Sequence, residues 1–144
     1  MDPFSASDCG SKGDHAAGQR RVAQGSQVLP IQSGNYLAQF LTNRLAPNQT
    51  YTLSGAIGNR GDGHGLVSSD QDYVCLLVGG TVVAQNMNLP HPAPGTFALW
   101  TISYTSPAAG FPTGSLQIRL GQNGTGQVNY DNITLTVSPV VVNP

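Results

Sequence analysis

The sequence predicts an all-β fold: a jelly-roll β-sandwich of about eight antiparallel strands with an extended N-terminal arm. Three observations predict it. Apolar and polar residues alternate with a period of two over much of the chain, so one set of side chains is buried and the other is wet. Glycine (18) and proline (10), with many Asn and Ser, punctuate these runs at short intervals, as turns do. No stretch keeps the i, i+3, i+4, i+7 spacing of an amphipathic helix beyond one turn.

A chain of 144 residues suffices for one domain with a sizeable core. Only 9% of it is charged and glutamate is absent, against about 25% charge in ordinary domains. A net charge of −1 removes the electrostatic attraction behind most nucleic-acid and anionic-membrane binding. No apolar run approaches the ~20 residues of a membrane-spanning helix. So little charge solubilises a surface poorly, so burial of part of it against neighbours is expected.

Residues 1–25 form the arm. Asp2, Asp8, Lys12, Asp14, Arg20 and Arg21 crowd into it without strand or helix period, and beyond Phe4 and Val22 it is poor in apolar residues. It cannot make a core of its own. The expectation is that it lies on a partner, with Phe4 in a shallow pocket and Arg20 and Arg21 pairing with acids there. It has no apolar signal-like region, so either the chain stays where it is made or a leader has been removed. Cys9 sits in this polar arm and Cys75 in an apolar run, so Cys75 is expected to be a buried free thiol.

Residues 26–139 form the sandwich and 140–144 a tail. Strands are expected at 27–31, 36–41, 50–59, 72–78, 81–85, 96–105, 115–120 and 127–137. Pro47 fixes a turn after the second of these. Gly79 and Gly80, between two apolar runs, make a two-residue hairpin turn. From Leu89 to Gly95 three prolines remove ladder donors, so that stretch is an extended connection. The last two strands read as a hairpin around the Gly/Asn-rich stretch 121–126. Val128 and Tyr130 share one phase while Ile133, Leu135 and Val137 share the other, which places a bulge at Asp131 and Asn132. The expected core is Leu37, Leu53, Ile57, Leu77, Val82, Trp100, Ile102, Leu116, Ile118, Tyr130, Ile133 and Leu135.

The most conspicuous loop runs from Asn59 to Gly65 and contains Arg60, Gly61 and Asp62, the tripeptide integrins read. A Gly-rich loop with a solvated Arg–Asp pair is the better reading. Asp62, His64, Asp70 and Asp72 could offer oxygen to Ca²⁺, but their spacing fits no EF-hand loop, so no cofactor is expected beyond a weakly supported structural Ca²⁺. His15, His64 and His91 lack Cys or His neighbours at zinc-ligand spacing. Without glutamate or a G-x-S-x-G elbow, catalysis finds no foothold, and the chain reads as non-enzymatic. A strand rather than a helix follows 121–126, so that loop is not a phosphate cradle. The sequons at Asn48, Asn123 and Asn132 matter only in a eukaryotic secretory pathway. Tyr36, Tyr51, Tyr73, Tyr104, Tyr130 and Trp100 read as core rather than as a sugar-stacking platform.

Tyr51 to Ser54 with Gly58 to Gly63, and then Gln127 to Thr136, resemble galactose-binding-like jelly rolls. That resemblance implies a carbohydrate-binding, lectin-like module of a secreted bacterial protein, with Arg60, Asp62, His64 and Asp131 as ligand-binding residues. It also implies a structural Ca²⁺ near Asp131 and Asn132. By size and architecture the chain also resembles the capsid cement, or decoration, proteins of tailed bacteriophages. That second resemblance implies a structural protein of the virion, made in the host cytoplasm, that binds the major capsid protein and copies of itself. It is preferred because it accounts for the low charge and for the arm.

Overall fold

The computed structural model describes residues 29–31, 36–63, 65–66 and 70–141. It has eight strands: β1 (Leu29–Ile31), β2 (Tyr36–Arg44), β3 (Gln49–Asn59), β4 (Gln71–Val78), β5 (Thr81–Asn86), β6 (Phe97–Thr105), β7 (Ser115–Asn123) and β8 (Val128–Pro139). Among the described residues there is no helix. Two four-stranded sheets carry the orders β1-β8-β3-β6 and β2-β7-β4-β5, with neighbours antiparallel throughout. Every connection except β4–β5 therefore changes sheet, which makes the sandwich a jelly roll.

The single hairpin turns on Gly79 and Gly80, at φ 54° and 86°. A Cβ at Gly79 would also lie 2.2 Å from the Thr113 carbonyl oxygen, so sterics and backbone conformation both require glycine there.

The hairpin expected between the last two strands does not form. β7 pairs with β2 and β4, while β8 lies in the other sheet between β1 and β3. The Gly/Asn-rich link between them is an arch from one layer to the other. Turn chemistry lets the chain reverse in either case; which strand it meets afterwards is settled by distant partners. The bulge is present: the β3–β8 register shifts between Ser54 and Ala56, Asn132 takes φ 55°, and its N–H donates to Asp131 Oδ1 at 2.8 Å.

The core lies between the sheets. Leu53 and Ile57 of β3, Val74, Leu76 and Val78 of β4, and Leu116 and Leu120 of β7 are fully buried in it with Tyr130. Trp100 lies against Gly55, where a Cβ would come within 2.7 Å of the ring. Leu77 and Val82, expected here, belong to a second cluster with Tyr36, Ala38, Tyr73, Cys75 and Met87. They take the opposite phase and face outward from the second sheet, so this sheet buries both faces. Cys75 is not a free thiol; it is disulfide-bonded. The chain's other cysteine, Cys9, lies outside the described residues.

Candidate functional site

Three connections converge on one end of the sandwich: β3–β4, β5–β6 and the arch β7–β8. Asn59, the last residue of β3, ties the first two together. Its Oδ1 accepts from the Leu66 N–H at 2.8 Å and its Nδ2 donates to the Pro92 carbonyl at 3.0 Å. Its backbone N–H donates to Thr96 and its carbonyl accepts from Gly95. Asp70 ties in the third connection. Its carboxylate accepts from the N–H of Thr125 at 2.8 Å and of Gly126 at 3.2 Å. A Cβ at Gly126 would lie 2.3 Å from the Gly65 carbonyl oxygen and 2.5 Å from Asp70 Oδ2, so only glycine lets these loops meet.

Beneath this rim the core phase of two strands turns polar. Asp72 follows the inward phase of Val74, Leu76 and Val78, and Gln122 that of Leu116, Ile118 and Leu120. The two stand opposite each other in the β4–β7 register and both are fully buried. Tyr130 reaches over from the other sheet, its hydroxyl donating to the Gly121 carbonyl at 2.8 Å, with the Tyr73 carbonyl at 3.2 Å. His91, from the proline-rich β5–β6 connection, brings Nε2 to 3.0 Å from Asp72 Oδ2. The Leu89 N–H, donating to the Asp72 carbonyl at 3.0 Å, anchors that connection beside the carboxyl.

Burial pushes Asp72 up from 3.8 to about 6, and the charge of Asp70 adds to the rise. His91 and Gln122 oppose it, by charge and by hydrogen bonding, without cancelling it. Asp72 Oδ1 and Gln122 Oε1 are buried without a hydrogen-bond partner. Burial also holds the Tyr130 phenol well above its ordinary range, with Asp72 and Tyr73 contributing, so it stays a neutral donor. The Asp72 side chain is sealed from solvent whereas that of His91 is 28% exposed. The arrangement can store a proton near neutral pH on a carboxyl in an apolar wall and exchange it through the imidazole.

The residues singled out from sequence are scattered. Arg60 and Asp62 form an ion pair at the exposed tip of the β3–β4 connection. Asp131 pairs in register with Ala56 on the outer face of the first sheet, and its carboxylate closes the bulge. His64, Phe4, Arg20 and Arg21 lie outside the described residues. Of the four side chains considered for Ca²⁺, Asp70 and Asp72 are brought together and Asp62 is not. Among the described residues no group of three or more His, Cys, Asp or Glu is placed to hold a metal ion. Sequence reasoning missed Gln122 and the pairing of His91 with Asp72. A polar residue at the end of an inward apolar phase was the available signal for Asp72 and Gln122. Nothing local marks His91, because two prolines flank it in a connection without periodicity.

Fold and site thus define a jelly roll with a protonatable carboxyl at one closed end. The family model described as HpiC1 cyclase matches residues 9–136, and the chain belongs to this HpiC1-like family. A crystal structure of a cyclase from Fischerella sp. TAU in complex with 4-(1H-indol-3-yl)butan-2-one is similar at 29% identity and a TM-score of 0.63. The match covers 78% of this chain and 61% of that one. The Stig cyclase Fisc from the same source, in complex with (3Z)-3-(1-methyl-2-pyrrolidinylidene)-3H-indole, is also 29% identical with a TM-score of 0.63, over 77% of this chain and 60% of that one. A further cyclase from Fischerella sp. TAU is 27% identical with a TM-score of 0.66, over 91% and 73%. The chain thus spans about three fifths of the length of the two indole-bound cyclases. No curated protein matches the chain by sequence.

These matches overturn several expectations. The chain's relatives are cyclases, not galactose-binding modules or phage decoration proteins, so neither the lectin reading nor the capsid reading stands. The expectation of a non-enzyme falls with them. So do the major capsid protein and self-assembly as partners, and the virion as location, since the similar structures hold small indole compounds. The physical reason is that a jelly roll constrains layers and connections but not chemistry, so architecture alone pointed to the wrong relatives.

Proposed function

We propose that this chain contributes the β-sandwich of a cyclase that closes a ring in a small, apolar, indole-type molecule by acid catalysis. Asp72 is the proton-holding group and His91 its link to solvent. The observation that carries this reading is the buried carboxyl of Asp72, raised to about 6, with His91 Nε2 at 3.0 Å. Membership of a cyclase family and the indole ligands of two similar structures support the substrate class. In such a reaction a proton moves from Asp72, by way of the part-exposed His91 imidazole, to a π-bond of the substrate. The resulting cation is captured by a second π-bond, which forms the new C–C bond, and loss of a proton restores the acid. The reaction is an isomerisation and needs no other reagent. A carboxyl poised near neutrality is suited to both proton transfers.

The test compares wild type with Asp72→Asn. Both are expected to bind 4-(1H-indol-3-yl)butan-2-one in a titration calorimeter, while cyclisation of an indole carrying an alkenyl side chain falls by about 10²–10⁴-fold in the variant. Full turnover by Asp72→Asn would remove Asp72 from the chemistry.

A second reading has an observation of its own. Asp72 Oδ1 and Gln122 Oε1 are buried acceptors without donors, and Asp70 stands beside them. Oxygen groups of this kind suit Ca²⁺. Asp72, Gln122 and Asp70 would hold it, and its charge would neutralise the buried carboxylate. A calcium-dependent rise in Tm that disappears in Asp72→Asn would favour the metal over the proton.

A further inference from the structure

His91 sits between Pro90 and Pro92 in the connection from β5 to β6. Neither proline has an N–H to give, so positions 90 and 92 can dock only through their carbonyls. A residue before proline is pushed toward extended backbone, so Leu89 and His91 both stiffen the segment. Two contacts pin this short rod. On one side of the imidazole the Leu89 N–H donates to the Asp72 carbonyl at 3.0 Å. On the other the Pro92 carbonyl accepts from Asn59 Nδ2 at 3.0 Å.

On the basis of the Asp72–His91 proton pair proposed above, we infer that Asn59 is a positioning residue for His91. Its side-chain amide, carried by the first sheet, holds the imidazole against an acid carried by the second. Asn59 is itself fixed from several directions. It is buried at the end of β3, where its backbone N–H donates to the Thr96 carbonyl at 3.1 Å and its carbonyl accepts from the Gly95 N–H at 2.7 Å. Its Oδ1 accepts from the Leu66 N–H at 2.8 Å, which orients the amide and leaves Nδ2 for Pro92. Gly65 makes room for this, since a Cβ there would lie 2.0 Å from Asn59 Oδ1. Pro92 adjoins His91, and His91 Nε2 stands 3.0 Å from Asp72 Oδ2. A displacement of about 1 Å takes that pair beyond hydrogen-bond distance, and misplacement of this size costs on the order of 10²-fold in rate. Asn59 acts through the Pro92 backbone, not on the proton itself.

The test compares the full wild-type chain with Asn59→Asp and Asn59→Leu. Asn59→Asp keeps an acceptor for Leu66 and removes the donor to Pro92. Asn59→Leu keeps the volume without a charge and removes both bonds; Asn59→Ala replaces it if it fails to fold. One readout is independent of turnover: the rate at which diethyl pyrocarbonate acylates His91, followed by mass spectrometry of its peptide in protein with unchanged far-ultraviolet circular dichroism. That rate should rise several-fold in both variants. The other readout is cyclisation of the alkenyl indole, for which kcat should fall by about 10–10²-fold in both with KM unchanged. Adding His91→Ala to either variant should slow it no further than His91→Ala alone. A wild-type acylation rate in both variants would overturn the positioning role. A rise in Asn59→Leu alone would overturn it in favour of the Leu66 bond, and a rise in Asn59→Asp alone in favour of the new charge. Faster acylation with turnover unchanged would keep Asn59 as the residue that holds His91 and remove His91 from the chemistry, so the two roles fail separately.

Discussion

Asp72 and His91, nineteen positions apart on a strand and on a proline-rich connection, meet at 3.0 Å at the closed end of the sandwich. The contact couples the most buried charge of the described structure to a side chain that still reaches solvent. Asp70, just before β4, and Gln122 of β7 face Asp72, and Tyr130 approaches from the opposite sheet. Any account of this end must therefore treat the cluster as one unit.

Stability should respond to pH through Asp72. Its carboxyl ionises near 3.8 when unfolded and near 6 when folded. Between those values the folded chain holds a proton that the unfolded chain lacks. Its contribution therefore favours folding below about pH 4, falls as pH rises to about 6, and is level above that, a change on the order of 3 kcal/mol. Other carboxylates slope the opposite way, so the measurement is the difference in Tm between wild type and Asp72→Asn. That difference should shift in favour of the variant between pH 4 and 6, and a flat difference would contradict the raised value.

Asp70→Ala should cost about 1–3 kcal/mol, because the N–H groups of Thr125 and Gly126 lose their charged acceptor inside the arch. It also removes a negative neighbour that pushes Asp72 up. The Asp72 titration should therefore move to lower pH in this variant, visible by carboxyl ¹³C chemical shifts. An unchanged titration would show that the two carboxylates do not interact.

Tyr130→Phe should destabilise the sandwich by about 1–2 kcal/mol, since the Gly121 carbonyl loses a buried donor at 2.8 Å while the ring still fills its place. Urea unfolding should show a lower midpoint with the slope unchanged. A loss within error would mean that the hydroxyl's bonds across the layers are nearly balanced by hydration of the unfolded chain.

Reduction of the Cys75 disulfide should lower stability by about 2–4 kcal/mol without abolishing the β fold, because the core between the sheets does not depend on it. Thermal melts with and without dithiothreitol measure this directly. Collapse of the near-ultraviolet aromatic signal at room temperature would show that the outer-face tyrosines need the bond to stay ordered.

The strands themselves were legible. All eight appear where alternation and turn residues place them, and the bulge at Asn132 follows from the phase flip between Tyr130 and Ile133. The Gly79–Gly80 hairpin was legible for the same reason, since the turn and both strands are adjacent in sequence. The arch between β7 and β8 was misread because its composition is equally good for a hairpin. Leu77 and Val82 were placed in the wrong layer because a strand with apolar residues in both phases does not say which set faces the core. In the site, Asp70 and Asp72 were noticed as acids but grouped with Asp62, which pairs with Arg60 instead.

What the sequence by itself determined about this chain is its local grammar: an all-β class, the eight strands and the places where they turn. Those follow from side-chain period and backbone preference, which act over a few residues. Only the tertiary structure decided that β8 leaves β7 for the other sheet, that one sheet buries both faces, and that His91 rather than Asp62 faces Asp72. Each is a choice among partners distant in the chain, made by burial and by the saturation of Asp70, Asn59 and Tyr130 hydrogen bonds across layers. No period of two or three residues records that choice.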